Sequence, residues 1–284
     1  MQNMKICRTI AECRAEVATY RKAAERVGLV PTMGFLHQGH MALVAAAQEA
    51  SDRVVVTIFV NPTQFGEAAD LEAYPRDEAR DLAMLQEAGV DCVLIPPVKE
   101  VYPDGDETIV ETTRMANMLH GLVRPGHFRG VTTVVARLFN FVQPDIACFG
   151  EKDYQQLQVI KRMTRDLAFP IDIRGVPTVR EPDGLAMSSR NVRLTPEDRQ
   201  AALVLSRSLA AAEQAAAQGT TIEALRQLIS DTITAEPRAT LRGLDIVGAT
   251  DLSDLSGPLT SPAAIMISAE FGGILLIDQR VVTQ

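Results

Sequence analysis

Two histidines three positions apart are the residues of this chain best placed for chemistry. His37 and His40 lie in the segment 30–40, where glycines at 34 and 39 allow close approach of the backbone. The apolar run at 27–30 predicts a buried strand, and helix-forming residues at 41–50 predict a helix after the turn. The N-terminus of a helix attracts anions through its unpaired N–H groups and its dipole, and imidazoles add further donors. The segment therefore predicts a phosphate site, and a pair of histidines that only stabilise a tight turn is the alternative.

Alternating strands and helices predict how that segment is held. Strands are predicted at 27–30, 52–60, 91–95 and 145–149, and helices at 76–88, 131–142 and 153–167. The residues from 54 to 60 are almost all β-branched or aromatic, as in a strand buried on both faces of a parallel sheet. This βαβ rhythm predicts an α/β fold, with ligands outside the carboxyl ends of the strands.

The pattern changes after about residue 178. Thr195, Pro196 and the two acidic residues after them predict the start of an Ala-rich helix that runs to about Ala217. A second helix is predicted from Thr221 to about Ala235, and apolar runs follow at 244–247, 264–269 and 274–282. This order predicts two domains, at 1–178 and 179–284, of which the second is a smaller α+β domain.

The composition of the chain argues against several classes of function. Of its 284 residues, 46% are hydrophobic and 23% are charged, which is typical of a soluble globular protein with a full core. The formal net charge of −8 and the pI near 5.1 argue against nucleic acid or an anionic membrane as a partner. No run approaches the ~18 apolar residues of a membrane span. The start Met1-Gln2-Asn3-Met4-Lys5 has no signal-peptide core, so a cytoplasmic protein is predicted.

The four cysteines carry no metal or disulfide signature. Cys7, Cys13, Cys92 and Cys148 are scattered and lack C-x-x-C spacing, so neither a zinc site nor a disulfide framework is predicted. Cys92 and Cys148 lie within apolar, strand-like runs. We expect both to be small buried hydrophobes rather than nucleophiles.

Polar residues also follow other predicted strands. Gly150 and Lys152 stand where the strand at 145–149 ends and a helix begins, so Lys152 could clamp a phosphate there. Gln64 and Gln156 follow two different strands, and an amide suits a substrate with hydroxyl and carboxylate groups. A solvated lysine and ordinary loop glutamines are the alternatives.

Two glycine-containing loops carry further donors. The loop at 184–191 has two adjacent serines followed by Arg190, a compact set of donors for phosphate oxygens. It could equally be a hinge, and the two interpretations are compatible, because a loop that closes over a nucleotide is mobile without it. The loop at 119–130, with Arg124 and His127, either lines the same cavity or is a plain connecting turn.

Taken together, these motifs resemble those of the pantothenate synthetases, the pantoate beta-alanine ligases. The segments that carry the resemblance span nearly the whole chain: Pro31-Thr32-Met33-Gly34, His37-x-Gly39-His40, Phe59-Val60-Asn61-Pro62, Arg124-Pro125-Gly126-His127-Phe128-Arg129-Gly130, Phe149-Gly150-Glu151-Lys152-Asp153 and Met187-Ser188-Ser189-Arg190-Asn191. The wider superfamily is the Rossmann-like nucleotidyl-transferring group with HIGH and KMSKS signatures. Gln38, Ala186 and Arg190 depart from those generic signatures, as is typical of pantothenate synthetases.

The resemblance implies a Rossmann-like parallel sheet domain that binds ATP and pantoate, and a C-terminal α+β lid domain. It also implies a two-step reaction of the coenzyme A pathway. Pantoate attacks the α-phosphorus of ATP to give pantoyl adenylate and pyrophosphate, and beta-alanine then displaces AMP to give pantothenate. Mg²⁺ is expected with ATP, and a homodimer through the N-terminal domain is expected. Asp77, Glu78 and Asp81 lie at a predicted helix start where acids are common, so no protein ligand of the metal is assigned.

The resemblance implies roles for individual residues as well. The expected catalytic residues are His40, His37 and Lys152. The expected nucleotide-binding residues are Met33, Gly34, His37, Gly39, His40, Gly150, Lys152, Asp153, Val179, Met187, Ser188, Ser189 and Arg190. The expected substrate-binding residues are Gln64, Gln156, Arg124 and His127.

Two other functions remain in competition with this one. A different transferase of the same superfamily would share the first histidine motif, but it has no reason to carry the paired glutamines or the loop at 124–130. A non-catalytic nucleotide-binding module could keep the fold without both histidines and Lys152. Release of pyrophosphate from ATP and pantoate distinguishes the ligase from such a module.

Overall fold

The computed structural model describes residues 4–66 and 71–284, and the chain divides into two units. One unit comprises Met1–Gly150 with Val159–Val176, and the other comprises Glu151–Gln158 with Pro177–Gln284. The start of the chain, where no signal peptide is predicted, includes Met1, Gln2 and Asn3, which lie outside the described residues. Within the described part, no helix is long and apolar enough to cross a membrane. The predicted roles of the two domains, substrate binding and lid, stay predictions.

The first unit is built on a parallel sheet, which confirms the predicted α/β fold class. Its strands are β1 (Lys5–Cys7), β2 (Val27–Thr32), β3 (Arg53–Ile58), β4 (Cys92–Leu94), β5 (Ile146–Gly150) and β6 (Asp172–Val176). They pair in the order β1-β4-β3-β2-β5-β6, and every neighbouring pair is parallel. The strands that follow β2 in the sequence, β3 and β4, add to one side of it. The later strands β5 and β6 add to its other side. The direction of building therefore reverses between β2 and β5, where α/β sheets open a ligand-binding crevice at the carboxyl ends.

Helices accompany this sheet, and the longer ones cover it because each has an apolar face that must be buried. They are α1 (Ile10–Lys22), α2 (Gln38–Ala50), α3 (Glu78–Glu87), α4 (Val98–Val101), α5 (His120–Val123), α6 (His127–Val142) and α7 (Tyr154–Asp166), of which α7 has residues in both units. The start of α1 is marked by a capping box, in which Thr9 and Glu12 each accept a backbone N–H of the other. The central strand β2 is buried at nearly every position, as the apolar run predicts.

Two edge strands of this sheet are absent from the predictions made from sequence. β1 is only three residues long, too short for a periodic pattern to show. In β6 the charged residues Asp172 and Arg174 alternate with less exposed neighbours. A strand at the edge of a sheet tolerates charges that a central strand does not, and the apolar run used to predict strands is then missing.

The second unit has a three-stranded antiparallel sheet with helices, in agreement with the predicted α+β class. The strands are β7 (Thr240–Gly248), β8 (Ala263–Phe271) and β9 (Ile274–Val282), in that order. The helices are α8 (Pro196–Ala201), α9 (Leu203–Ala217) and α10 (Ile222–Thr234). Buried side chains of α9, α10 and β8, such as Leu209, Ile229 and Ile265, form its core.

The single Ala-rich helix predicted from residue 196 to 217 is wrong in one respect. The helix starts as predicted, with the Thr195 hydroxyl accepting the Asp198 N–H at 3.1 Å and Pro196 at the first position. It is then interrupted at Ala202, where the Leu205 N–H donates to the Ala202 carbonyl three residues back instead of four. A tighter turn of this kind divides the segment into α8 and α9.

Three of the four cysteines meet in the first unit, although they are scattered in the sequence. Cys7, Cys13 and Cys92 are all fully buried, and the Cys7 and Cys92 sulfurs lie 3.6 Å apart. Cys13 interacts with Cys92 as well, and this interaction lowers the pKa of the Cys13 thiol. Cys148 is also fully buried, and burial raises the pKa of its thiol to about 11. The prediction that Cys92 and Cys148 are buried hydrophobes is confirmed.

Candidate active site

The turn between β2 and α2 has an unusual backbone conformation, in which Gly34 and Phe35 both have positive φ and lie close to Asp81. Gly34 has φ of +81°, and a Cβ there would lie 3.0 Å from both an Asp81 carboxylate oxygen and the Ile58 side chain. Phe35 follows with φ of +51°, which is uncommon for a residue other than glycine. The Thr32 hydroxyl accepts the Gly34 N–H at 3.2 Å, so the turn is held from its first residue onward.

The two histidines lie where the sequence predicts, at the N-terminus of α2. His37 is the N-cap residue, and its Nδ1 accepts the Gly39 N–H at 3.1 Å. The His40 Nδ1 accepts the His37 N–H at 3.2 Å, so the two residues cap the helix reciprocally. Their ring centroids are 4.1 Å apart. This arrangement is a capping box in which imidazoles take the places that Ser or Thr and Glu usually occupy.

A network around Asn61 holds Gln64 after the end of β3. The Asn61 side chain is buried, and its amide donates to the Gln64 Oε1 at 3.0 Å and to the Gly130 carbonyl at 3.1 Å. The Tyr102 hydroxyl donates to the Asn61 Oδ1 at 2.8 Å. Burial raises the pKa of Tyr102, which keeps this phenol protonated as a donor. The hydrogen bond from Asn61 therefore fixes the orientation of the Gln64 amide. The Gln64 Nε2 lies 3.2 Å from the Met33 sulfur.

The basic loop at 119–130 reaches the same place. His127 Nδ1 lies 2.9 Å from the Gln64 carbonyl oxygen, and Arg124 Nη1 lies 3.4 Å from His127 Nε2. A Cβ on Gly130 would lie 2.6 Å from the Thr63 carbonyl oxygen, so only glycine allows α6 to pack this closely. The structure thus joins Met33, Gln64, His127 and Arg124 into one chain of contacts. The loop is also more helical than predicted, because α5 and α6 both begin within it.

Lys152 and Gln156 belong to the second unit, so they are described separately from the histidines. Lys152 is half-buried in a short 3-10 helix, Glu151–Asp153, which leads directly into α7. Gln156 lies in the first turn of α7 and is half-buried. The Tyr154 hydroxyl between them donates to the Ala249 carbonyl at 2.8 Å and ties this helix start to the rest of the second unit.

The loop with the serines and Arg190 is anchored most firmly where it begins. The Met187 N–H donates to the Val179 carbonyl at 3.0 Å, which closes a hairpin over 179–187. Arg180 in that hairpin makes a two-point ion pair with buried Asp278 of β9, at 2.7 and 2.9 Å. Arg190 itself is exposed, and its guanidinium donates to the Leu275 carbonyl at 3.3 Å.

Comparison with known proteins assigns the chain to a family. A model of the family described as pantoate-beta-alanine ligase matches residues 5–281. The chain belongs to this family. Pantothenate synthetases of Bartonella tribocorum and Heliobacterium modesticaldum are 48% and 49% identical to it over 282 and 280 residues, covering 99% and 98% of this chain and 99% of each relative. The chain is therefore an enzyme, a ligase of pantothenate biosynthesis.

Solved structures agree with that assignment. The crystal structure of pantothenate synthetase from Thermus thermophilus has a TM-score of 0.92 and 48% sequence identity, covering 99% of this chain and 100% of that one. Pantoate-beta-alanine ligase from Francisella tularensis, complexed with beta-gamma ATP and beta-alanine, has a TM-score of 0.78 and 33% identity over 98% of both chains.

The acidic residues at the start of α3 have structural partners. Asp77 caps the helix by accepting the Arg80 N–H at 3.1 Å, and Glu78 pairs with Arg8. Asp81 accepts two backbone N–H groups of the histidine turn. Among residues 4–66 and 71–284, no group of three or more His, Cys, Asp or Glu side chains is arranged to hold a metal ion.

Asn61, Tyr102 and Asp81 are the residues near the site to which the sequence analysis gives no role. Asn61 had a usable signal, because it directly follows a predicted strand within a motif of the family. Tyr102 and Asp81 had none, since each reaches its partner from far along the chain, with separations of 41 positions between Tyr102 and Asn61 and 46 between Asp81 and Phe35.

Proposed function

We propose that this chain ligates pantoate and beta-alanine to pantothenate at the expense of ATP, through a pantoyl adenylate. Membership of the pantoate-beta-alanine ligase family supports the formation of pantothenate from these two substrates. The Francisella tularensis relative, with beta-gamma ATP and beta-alanine bound, supports ATP as the co-substrate. The observation that carries the proposal in this chain is the reciprocal capping of α2 by His37 and His40, at the carboxyl end of β2.

In the first step a pantoate carboxylate oxygen attacks the α-phosphorus of ATP, and the bond to the bridging oxygen breaks as pyrophosphate leaves. A carboxylate is a weak nucleophile that here approaches a polyanion, so positioning and charge neutralisation supply most of the catalysis. His40 and His37 donate to the α-phosphate oxygens, where negative charge builds up in the transition state. Donors fixed by a helix cap do not need to reorganise at that moment.

In the second step the amine of beta-alanine attacks the acyl carbon of the adenylate, and AMP leaves with the bonding electron pair. The amine loses a proton as the amide of pantothenate forms. The same two histidines remain next to the phosphate of the departing AMP. No covalent bond to the enzyme forms in either step.

Further residues are proposed to bind the rest of ATP. Lys152 contacts the phosphates as a catalytic cation, with Ser188, Ser189 and Arg190 as additional phosphate ligands. The proposed lining of the nucleotide pocket is Met33, Gly34, Gly39, Gly150, Asp153, Val179 and Met187. The half-buried position of Lys152 before α7 supports its role, because an ammonium there is partly shielded from solvent.

Mg²⁺ is proposed to accompany ATP, bound to phosphate oxygens and water. Mg²⁺ keeps several waters in its shell and commonly binds through substrate phosphates, whose charge it neutralises. The acids at the start of α3 do not fit as its ligands, since Asp77, Glu78 and Asp81 are each engaged by other groups. We assign no residue of this chain to the metal.

Pantoate is proposed to bind Gln64 and Gln156, with Arg124 and His127 in the same subsite. The fixed orientation of the Gln64 amide supports this role, because an oriented amide can distinguish a hydroxyl from a carboxylate. A homodimer and a cytoplasmic location complete the proposal.

Pyrophosphate release tests the proposed function directly. The protein should release about one equivalent of pyrophosphate when mixed with ATP, Mg²⁺ and pantoate, and AMP should appear only after beta-alanine is added. Omission of pantoate is the control, and it should abolish the release. Binding of ATP without any pyrophosphate release would show a nucleotide-binding module instead of a ligase.

A further inference from the structure

Asp81 is a buried carboxylate that the proposed mechanism does not use. Its side chain extends from α3 and is 1% exposed. The Phe35 N–H donates to one carboxylate oxygen and the Leu36 N–H donates to the other, both at 2.7 Å. Hydrogen bonds to an ionised acceptor are short and strong, so this contact is a firm link between α3 and the turn after β2.

The backbone conformation of this turn is suited to binding an anion. Gly34 and Phe35 both have positive φ, at +81° and +51°. Turns of this kind point successive N–H groups into one concavity, which binds an anionic group. Here the carboxylate of Asp81 occupies that concavity, so the protein itself supplies the anion. The hydrogen bond from the Phe35 N–H to this carboxylate offsets part of the cost of the unfavourable backbone conformation of Phe35.

The two bonded amides directly precede the histidines. Leu36 is followed by His37, whose N–H donates to the His40 Nδ1, while the His37 Nδ1 accepts from Gly39. A ring nitrogen that accepts a hydrogen bond carries no proton, so a neutral imidazole held this way has its proton on Nε2. The orientation of the turn therefore decides both the position of the rings and the nitrogen from which they donate.

We propose that Asp81 is a positioning residue for this pair. Its carboxylate holds the turn at 34–36 so that His37 and His40 cap each other, and both rings then keep their proton on Nε2, ready to donate to phosphate. The final part, donation to phosphate, rests on the function proposed above; the part that concerns the turn and the ring protons does not.

Nitrogen NMR of the imidazoles tests the proposal in the native protein. The chain has four histidines, so the ring signals can be assigned by single substitutions. In the native protein near neutral pH, His37 and His40 should both show a protonated Nε2 and an unprotonated Nδ1. A proton on Nδ1 of either ring would overturn the proposal, whatever the variants do.

Asp81→Asn is the informative variant, because an amide of the same shape keeps one acceptor and replaces the other by a donor. It should disturb the tautomers of His37 and His40 but leave the signals of His120 and His127 in place. Turnover should fall about 10²-fold, as for a reacting group displaced by about 1 Å, with little change in the KM for ATP or pantoate. Asp77→Asn is the matched control on the same helix, since asparagine caps a helix as well as aspartate does.

A second variant reaches the same turn while Asp81 stays intact. In Gly34→Ala the new Cβ would lie 3.0 Å from the Asp81 carboxylate, so the same two histidine signals should change. Normal tautomers in a folded Asp81→Asn protein overturn the proposal, even if turnover falls. Disturbed tautomers with full turnover leave the positioning role intact and refute the role of the histidines in the proposed function.

Discussion

The histidine turn, residues 34–40, and the serine-arginine loop, residues 184–191, are both proposed to contact ATP phosphates. They are held in different ways. In the turn, both histidine side chains accept backbone N–H groups, and a buried carboxylate fixes the residues before them. In the loop, the hairpin at 179–187 is anchored by the ion pair with buried Asp278, whereas Arg190 lies beyond it, exposed, with a hydrogen bond of 3.3 Å to the Leu275 carbonyl. Donors of the first kind are preorganised, which suits stabilisation of a transition state. We expect donors of the second kind to become ordered when the ligand binds.

The largest effect should come from removing a fixed donor. His40→Ala should lower kcat by about 10²–10³, because one preorganised donor to the developing charge is lost, and the KM for ATP should change little. Steady-state kinetics of both steps provide the measurement. His120→Ala is the control, since it removes a histidine that has no proposed role. Near-normal turnover of a folded His40→Ala protein would show that the rigid turn is only structural.

The next effect concerns Gln64, whose amide is also oriented before substrate binds. Gln64→Ala should weaken the binding of pantoate by roughly 1–3 kcal/mol, because a polar group of the substrate loses its partner. The affinity for ATP should not change. Titration calorimetry with each ligand separates the two cases. Gln156→Ala should behave in the same way if both glutamines bind pantoate. Loss of ATP affinity alone would place these glutamines in the nucleotide subsite.

Local sequence was sufficient to predict the histidine turn, because its strand, glycines and helix follow one another within the single segment 27–50. It was also sufficient for the four inner strands of the parallel sheet and for the α+β class of the second unit. The fixed character of the turn could not be predicted in the same way. It depends on Asp81, which accepts hydrogen bonds from backbone N–H groups 45 and 46 positions earlier in the chain. In the sequence, Asp81 looks like an ordinary acidic residue at the start of a helix.

The way in which the serine-arginine loop is held also could not be predicted from the sequence. Ser188, Ser189 and Arg190 form a motif that is visible in sequence, but its anchor is not. Arg180 pairs with Asp278 across 98 positions, so the sequence does not reveal which part of the loop is held and which is not. Only packing of the hairpin against β9 brings those two residues together.

That anchor gives a third prediction, of intermediate size. Asp278→Asn should weaken the buried ion pair and lower the free energy of unfolding of the second unit by about 1–3 kcal/mol. Amide exchange at Glu181 and Met187, which bond across the hairpin, should become faster. Asp183→Asn is the matched control, because it breaks the Arg199 pair in the same hairpin. Both partners of that pair are more than a third exposed, at 37% and 36%, and such pairs contribute about 0–1 kcal/mol. Equal effects of the two variants would mean that the hairpin is not anchored at Asp278.

The smallest effect should be a change in protection of the loop itself. Amide exchange over 184–192 should slow when ATP and Mg²⁺ are added, whereas exchange at 34–41 should be slow already and change little. A ligand shifts such an equilibrium only through its different affinities for the two states, so Arg190→Ala should reduce the slowing. Arg193→Ala, another exposed arginine shortly after the serine-arginine motif, should not. If residues 184–192 are equally protected with and without nucleotide, the loop is as rigid as the histidine turn, and Arg190 would bind phosphate from a fixed position.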